Sequence, residues 1–191
     1  MGGMTPLCDP DSALPVRPVC AAPPLAPYGV EDARRAWDAW GANCGPWAVA
    51  ALLGVGMDAV RPLFPWFPER PYTKETDLRR VLADAGVAWS EDTQGWPAQG
   101  LVRMAWHGPW WDDVDVDPFA RLRRSHWVAT LDTAQGRFLF DGNAIAEGGW
   151  VTLDRWAEVW APWIAGYESA EATGAWRLVD RFACEVSRPP V

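Results

Sequence analysis

The chain lacks several features that would place it in a common class of protein. Only four cysteines occur in 191 residues and no two of them form a CxxC pair, which argues against a zinc site and against a dense disulfide framework. No apolar run reaches the roughly 20 residues that a membrane-spanning helix needs. The N-terminus has neither the basic nor the apolar segment of a signal peptide. We therefore expect no membrane span, no signal peptide and a reducing compartment.

Basic residues are also scarce. The sequence has 17 Lys and Arg residues against 25 Asp and Glu residues, so its formal net charge is −8. Binding to a phosphate backbone depends on an excess of Lys and Arg over that surface. We therefore expect no nucleic-acid partner.

A short acidic run resembles a metal-binding loop. Asp113, Asp115 and Asp117 resemble the opening of a calcium loop. Such a loop needs glycine at its sixth position and a bidentate glutamate at its twelfth, and these positions hold Pro118 and Arg124. We expect a solvated acidic loop, with neither a metal nor a cofactor.

Tryptophan is the residue that the chain has in excess, with 15 copies. The indoles could form an exposed surface for a ligand or glycan, or they could fill a core and interfaces, where large rigid side chains bury much area. The second interpretation is favoured because many of them fall on the inner face of predicted elements. One such stripe, on a predicted helix over 153–164, consists of Leu153, Trp156, Trp160 and Trp163.

The pattern predicts an arm followed by one domain. Residues 1–30 contain seven prolines and show no helical or strand period, so they are predicted to form an extended arm. Residues 31–191 are enough for one domain with a proper core. The predicted helices lie over 31–40, between Cys44 and Gly54, and over 57–63, 76–86 (capped by Thr76) and 153–164. The predicted strands lie over 87–90, 101–106, 126–131, 137–140, 149–152 and 176–186, with a bulge near 180–181.

Cys44 begins the most informative stretch of the chain. An apolar helical run follows it, with Pro46 in the first turn and Gly54 at the end. A cysteine at a helix N-terminus lies among backbone N–H groups without partners, which favours the thiolate. The alternative, a small buried hydrophobic residue, stays open on this evidence alone.

Two further residues make a catalytic interpretation specific. His126 is one of only two histidines and opens a predicted strand, and Asp141 follows the next strand of the same hairpin. The start of one antiparallel strand lies beside the end of the next, so the two side chains are predicted to meet at one end of the sheet. There a carboxylate can orient the imidazole. His107, the other histidine, is predicted to be a packed or surface residue.

These motifs resemble a known family. Cys44-Gly45-Pro46 at a helix start, Ser125-His126-Trp127-Val128 on a strand, and Asp141 after the next strand are similar to the papain-like cysteine peptidase superfamily. The bacterial and phage branch, which includes bacteriocin-leader-processing peptidase domains, is the nearest in pattern. The resemblance covers about residues 37–186. It implies an α+β papain-like fold in which an N-terminal helical half, with the Cys-bearing helix, packs on a C-terminal antiparallel sheet.

The resemblance also implies roles for the catalytic residues. Cys44 is the expected nucleophile, His126 the general acid and base, and Asp141 the residue that orients the imidazole. Asn143 is a fallback for the orienting role. The Cys44 backbone N–H is expected to hold part of the oxyanion.

The second oxyanion donor is where the chain departs from the family pattern. The family usually places a glutamine several residues before the cysteine, whereas Asp38 stands six residues before Cys44. Asn43 or the indole N–H of Trp40 are the candidate substitutes. Losing one such donor typically costs about 10²–10³ in kcat.

Three hypotheses about function follow. The first is a thiol hydrolase, a peptidase or amidase, that acts on a peptide or protein substrate through a Cys-His-Asp triad and a thioester. The second is a catalytically weak or inactive papain-like fold that serves as a structural or assembly protein, for example a phage virion component, with the N-terminal arm contacting a protein partner. The third is a transferase that uses the same thioester. The expected location is cytoplasmic or virion-associated.

Overall fold

The computed structural model describes residues 22–91, 94–112, 115, 124–168 and 171–186. Within these ranges the chain forms helices on both sides of one sheet. Its α-helices are α1 (Val30–Trp40), α2 (Cys44–Leu53), α3 (Met57–Val60), α4 (Glu75–Asp84), α5 (Pro109–Asp112), α6 (Leu153–Arg155) and α7 (Ala161–Glu168). Short 3₁₀ helices span Arg61–Leu63 and Gly142–Glu147, and a π-helical turn, Trp156–Trp160, joins α6 to α7.

The sheet has six strands among the described residues, in the order β1-β6-β2-β3-β4-β5, and every neighbouring pair is antiparallel. The prediction of an α+β fold with an antiparallel sheet is therefore confirmed. The strands are β1 (Ala88–Glu91), β2 (Gln99–Trp106), β3 (Ser125–Thr133), β4 (Gly136–Phe140), β5 (Trp150–Thr152) and β6 (Trp176–Glu185).

The closing strand is continuous and carries its bulge slightly earlier than predicted. Arg103 of β2 pairs with Asp180, but the next residue, Met104, pairs with Leu178. Val179 is therefore the extra residue, one position before the predicted 180–181.

Each face of the sheet covers its own hydrophobic core, because successive side chains of a strand point to opposite faces. The first core packs β2, β3 and β6 against α1, α2 and α4, and the second packs the other face of the sheet against the π-helical turn and α7. The first includes Val49, Leu52, Leu78, Leu82, Leu101, Trp127 and Phe182, and the second Val102, Met104, Trp106, Val128, Leu139, Trp156 and Ile164.

Helix α2 sits inside the first core. Seven of its ten residues are buried, which matches its almost entirely apolar sequence. Gly54 ends the helix in the left-handed region with φ 69°, a conformation that glycine adopts without a Cβ penalty. The sequence-based prediction of this helix and of its end is confirmed.

The start of α4 differs from the prediction. Thr76 is not its cap, because the helix begins at Glu75 and Lys74 occupies the cap position. Oδ2 of Asp77 accepts a hydrogen bond from the Lys74 backbone N–H at 2.9 Å. The Asp77 carboxylate therefore caps the N-terminus of the helix. Both oxygens of that carboxylate also accept hydrogen bonds from Arg70, at 2.9 and 2.8 Å.

The tryptophan stripe predicted on 153–164 is only partly right. Trp156 is fully buried, whereas Trp163 is 52% exposed. The reason is the π-helical turn, in which the Ala161 N–H bonds to the Trp156 carbonyl five residues back. The extra residue in this turn brings Ala161 and Ile164, not Trp163, onto the second core.

Most tryptophan side chains nonetheless pack in the interior of the protein. Among the described residues only Trp37 and Trp163 are exposed large indoles, and the others are buried or half-buried. This distribution favours the core interpretation of the tryptophan excess. In the described part of the chain, no helix combines the length and the apolar character needed to cross a bilayer.

The contact between β2 and β6 allows a test of the fold. A Cβ at Gly100 would lie 1.8 Å from the carbonyl oxygen of Phe182, so Gly100→Ala must push two central strands apart. We expect this variant to lose about 1–3 kcal/mol of unfolding free energy in urea denaturation. Gly166→Ala is the matched control: its Cβ meets no atom of the described residues within 4 Å, and removing a helix glycine should raise the unfolding free energy by about 0.5–1 kcal/mol. Equal stabilities of the two variants would contradict the strand packing described.

Candidate active site

Cys44 is the first residue of α2 and is half-buried. The side chain of Asn43, at the cap position, makes no cap hydrogen bond, and Pro46 has no N–H. The Trp47 N–H donates to the Asn43 carbonyl at 3.0 Å. Within the described ranges the N–H groups of Cys44 and Gly45 are consequently left without an acceptor, beside the cysteine sulfur.

His126 lies near the start of β3 and is 5% exposed. Its Nε2 is 3.0 Å from Oδ2 of Asp141. Cys44 lies close enough to this imidazole to raise its pKa, and because Nε2 faces Asp141, Nδ1 is the nitrogen left for the sulfur. The structure therefore brings Cys44, His126 and Asp141 together, with the imidazole in the middle.

The hairpin explains how His126 and Asp141 meet. Ala129 of β3 pairs with Phe140 of β4, so the next step of this register places Asp141 opposite Val128. Side chains that face each other across an antiparallel pair project to the same face. His126, two residues before Val128, projects to that face as well.

Asp141 is fully buried, and its two carboxylate oxygens are held by several donors. The indole Nε1 of Trp156 donates to Oδ2 at 2.7 Å. Asn143 donates to Oδ1 twice, from its backbone N–H at 2.9 Å and from its side-chain Nδ2 at 3.0 Å. These bonds fix the carboxylate in the orientation in which it faces His126.

The contact between His126 and Asp141 shifts the pKa values of both side chains. Burial disfavours the charged imidazole, but the charges of Asp141 and Cys44 and their hydrogen bonds outweigh it and hold the pKa of His126 well above its usual range. Burial likewise opposes a charged Asp141, but His126, Trp156 and the Asn143 N–H lower the pKa of that carboxyl overall. The site therefore favours an imidazolium beside a carboxylate.

Trp47 connects the cysteine helix to the Asp141 turn. A Cβ at Gly142 would lie 2.1 Å from Cε3 of Trp47, so only glycine leaves room for the ring directly after Asp141. Trp47 stands three residues after Cys44 and lies on the same side of α2. Its ring therefore fills the space between the two elements that carry the nucleophile and the carboxylate.

The end of the predicted N-terminal arm packs against α2 and β4, next to the site. Tyr28 is buried, its hydroxyl donates to the Trp47 carbonyl at 3.1 Å, and its ring meets Phe140 edge-on with centroids 5.5 Å apart. Burial, and next the charge of Asp141, raise the pKa of Tyr28 well above its usual value. Residues 1–21 of the arm lie outside the described residues.

The remaining predicted site residues take different positions. Asn43 donates from Nδ2 to the Pro71 carbonyl at 2.6 Å. Trp40 is buried and packs edge-on against Phe67, and Asn143 contacts Asp141 as described above. Asp38 lies on the exposed face of α1, whose buried residues are Ala33, Ala36 and Trp40. The oxyanion roles of Asn43 and Trp40 stay predictions.

Sequence reasoning missed Trp47, Trp156 and Gly142. The sequence predicts Trp156 in a core stripe, and nothing in its spacing from Asp141 indicates a hydrogen bond. Trp47 and Gly142 come together only through the tertiary fold. His107 is half-buried and stacks on Trp111 with ring centroids 4.9 Å apart, which agrees with the prediction of a packed or surface residue.

Comparisons do not assign the chain to a family. No protein-family model matches it, and no curated protein matches it in sequence. As for metals, no group of three or more His, Cys, Asp and Glu side chains in the described ranges could hold an ion. Asp113 and Asp117 of the acidic run fall outside those ranges.

The His126–Asp141 pair predicts a specific pH dependence. In an NMR titration we expect the imidazole of His126 to keep its proton well above the usual histidine pKa of about 6.5. Asp141→Asn should lower that pKa, because it removes the facing negative charge. The His107 resonance, assigned with His107→Gln, serves as the internal control. An unchanged titration of His126 in Asp141→Asn would contradict the described pair.

The raised pKa of His126 also determines how the unfolding free energy changes with pH. A raised folded-state pKa means that the contribution of His126 is complete below about pH 6.5 and is lost as the pH rises through the folded-state value. The unfolding free energy should therefore fall over that range, and less so in Asp141→Asn. The lowered pKa of Asp141 matters at acidic pH. The unfolding free energy that this carboxylate contributes is lost as the pH falls through its folded-state pKa.

Proposed function

We propose that this protein is a papain-like thiol hydrolase that cleaves a peptide or amide bond. The observation that supports this proposal best is the convergence of Cys44, His126 and Asp141 from the start of α2, the start of β3 and the end of β4. A nucleophile, a base and a group that orients the base are the parts that acyl transfer through a thioester requires.

The first half of the reaction uses the proton that His126 holds. The Cys44 sulfur, as thiolate, attacks the carbonyl carbon of the substrate and forms a C–S bond. The carbonyl π electrons move to the oxygen, which becomes an oxyanion. When the tetrahedral intermediate collapses, the C–N bond breaks and the imidazolium gives its proton to the leaving amine. The products of this half are a thioester on Cys44 and a neutral His126.

The second half returns the enzyme to its starting state. Neutral His126 takes a proton from water, and the resulting hydroxide adds to the thioester carbon. Collapse breaks the C–S bond and releases a carboxylic acid and the Cys44 thiolate. Asp141 keeps its charge throughout, and it stabilises the imidazolium in each step in which that cation forms.

Cys184, the other cysteine in the described part of the chain, is not suited to this role. It is 1% exposed, and burial raises the pKa of its thiol to about 12. Cys44 is half-buried and free. Cys44 is therefore the cysteine that we expect to react, and Cys184 the one that we expect to stay inert.

The proposed substrate is a peptide or protein segment, and the proposed compartment is a reducing one, cytoplasmic or within a virion. A thiolate nucleophile must stay reduced to act. The alternative is the same fold as an assembly protein with a retired site, and its distinguishing mark is a Cys44 with ordinary thiol reactivity.

Alkylation by iodoacetamide tests the proposal. At pH 6 an ordinary thiol is almost entirely protonated, so we expect Cys44 to be alkylated on the order of 10–100-fold faster than an unperturbed cysteine. His126→Ala should remove this advantage, because the thiolate then loses its partner cation. Mass spectrometry of the Cys44 peptide over time measures the rate.

Cys184 in the same digest is the internal control and should remain unmodified while the protein is folded. If Cys44 reacts at the rate of an ordinary thiol in the wild type, or equally fast in His126→Ala, the hydrolase proposal is wrong and the structural alternative is favoured.

A further inference from the structure

Thr73 carries a buried hydroxyl that has no hydrogen-bond partner among the described residues. The residue is 9% exposed, and its Oγ1 is buried with no hydrogen-bond partner among the residues that the structure describes. A buried hydroxyl without a partner is uncommon, since leaving it unsatisfied costs about 1–3 kcal/mol. Thr73 contributes nothing to the triad described above, so its position needs another explanation.

That hydroxyl lies against the first turn of α2. A Cβ added to Gly45 would fall 2.2 Å from Oγ1 of Thr73 and 2.7 Å from its Cβ. The side chain therefore occupies the space beside the backbone of the residue that follows Cys44. This close approach also explains why the position after the nucleophile is a glycine.

The backbone around Thr73 is fixed on both sides. Its carbonyl accepts a hydrogen bond from Nε1 of Trp127 at 3.2 Å, and Trp127 is the neighbour of His126 in β3. Two residues earlier, the Pro71 carbonyl accepts from Asn43 at 2.6 Å, and Asn43 is the neighbour of Cys44. The segment thus bridges the strand and the helix that carry the base and the nucleophile.

Three donors at the first turn of α2 have no acceptor among the described residues: the N–H groups of Cys44 and Gly45 and the hydroxyl of Thr73, which packs against Gly45. The N-terminal end of a ten-residue helix adds a partial positive charge. Asp38, the nearest acidic residue before Cys44 in the chain, is on the exposed face of α1. Such a group of donors is satisfied by an oxygen that carries negative charge.

We propose that Thr73 is a catalytic residue that donates its hydroxyl hydrogen bond to the oxyanion formed when Cys44 attacks the substrate carbonyl. The inference rests on the proposed hydrolase function and supplies the side-chain donor that Asp38 cannot. No proton is transferred: the hydroxyl keeps its hydrogen, and the bond strengthens as the carbonyl oxygen gains charge and relaxes when the intermediate collapses.

A peptide aldehyde tests this role without a known substrate. The Cys44 thiolate adds to an aldehyde carbon and forms a thiohemiacetal whose oxygen occupies the oxyanion position. A panel of N-acetyl dipeptide aldehydes is titrated, and binding is measured as protection of Cys44 against iodoacetamide. Iodoacetamide itself reports only the thiolate, because displacement of iodide forms no oxyanion.

Thr73→Val and Thr73→Ser form the matched pair of variants. Valine keeps the shape and removes the hydroxyl, so we expect aldehyde affinity to fall by about 10–10³-fold, the range that loss of one oxyanion donor spans. Serine keeps the hydroxyl and should bind the aldehyde nearly as the wild type does. Both variants should keep the wild-type alkylation rate when no aldehyde is present.

The outcomes separate this inference from the proposed function. Slow alkylation of wild-type Cys44 overturns both. Fast alkylation, with equal aldehyde affinities in the wild type and Thr73→Val, or with no aldehyde of the panel protecting the wild type, overturns the role of Thr73 alone. Loss of fast alkylation in Thr73→Val also overturns it, because Thr73 would then support the triad structurally, for example through a water molecule shared with Oδ1 of Asn43.

Discussion

The buried ion pair between His126 and Asp141 is the interaction on which the site depends. The two side chains are 6% and 0% exposed, and removing a charge from water costs several kcal/mol unless other bonds replace the lost hydration. The replacement comes from elements far apart in sequence, with Trp156 and Asn143 donating to the carboxylate and Cys44 facing the imidazole. Loss of either charged partner would leave the other buried and uncompensated, so the pair constrains the surrounding fold as well as the chemistry.

The location of the pair follows from the two-sided sheet. Cys44 packs against the first core, whereas Trp156 belongs to the second. A side chain within the middle of a strand can reach only one of these cores. His126 is near the start of β3, so it lies at the margin of the sheet, where the N-terminus of α2 is within its reach. A reactive group from one side and a supporting group from the other can therefore act on the same ring.

Local patterns were enough to predict the parts of the site, but not what supports them. The helix after Cys44 was predictable from an unbroken apolar run that ends in glycine, and the hairpin from a turn between two alternating segments. The exposure of Trp163 was not, because a π-helical turn breaks the 3.6-residue period that the prediction assumed. The hydrogen bond from Trp156 to Asp141 and the contact of Thr73 with Gly45 are tertiary, and single-sequence periodicity carries no information about such contacts. The papain-like fold itself stays a prediction.

The π-helical turn at Trp156–Trp160 has a consequence for insertions and deletions. It adds one residue to the helical repeat, and this offset decides which face of α7 covers the second core, with Ala161 and Ile164 inside and Trp163 outside. Deleting one residue within this turn would return it to the α-helical repeat and would leave Ala161 and Ile164 on the second core. Because successive residues of an α-helix are about 100° apart, inserting one residue here would instead rotate α7 by that angle relative to α6 and would turn Ile164 away from the sheet.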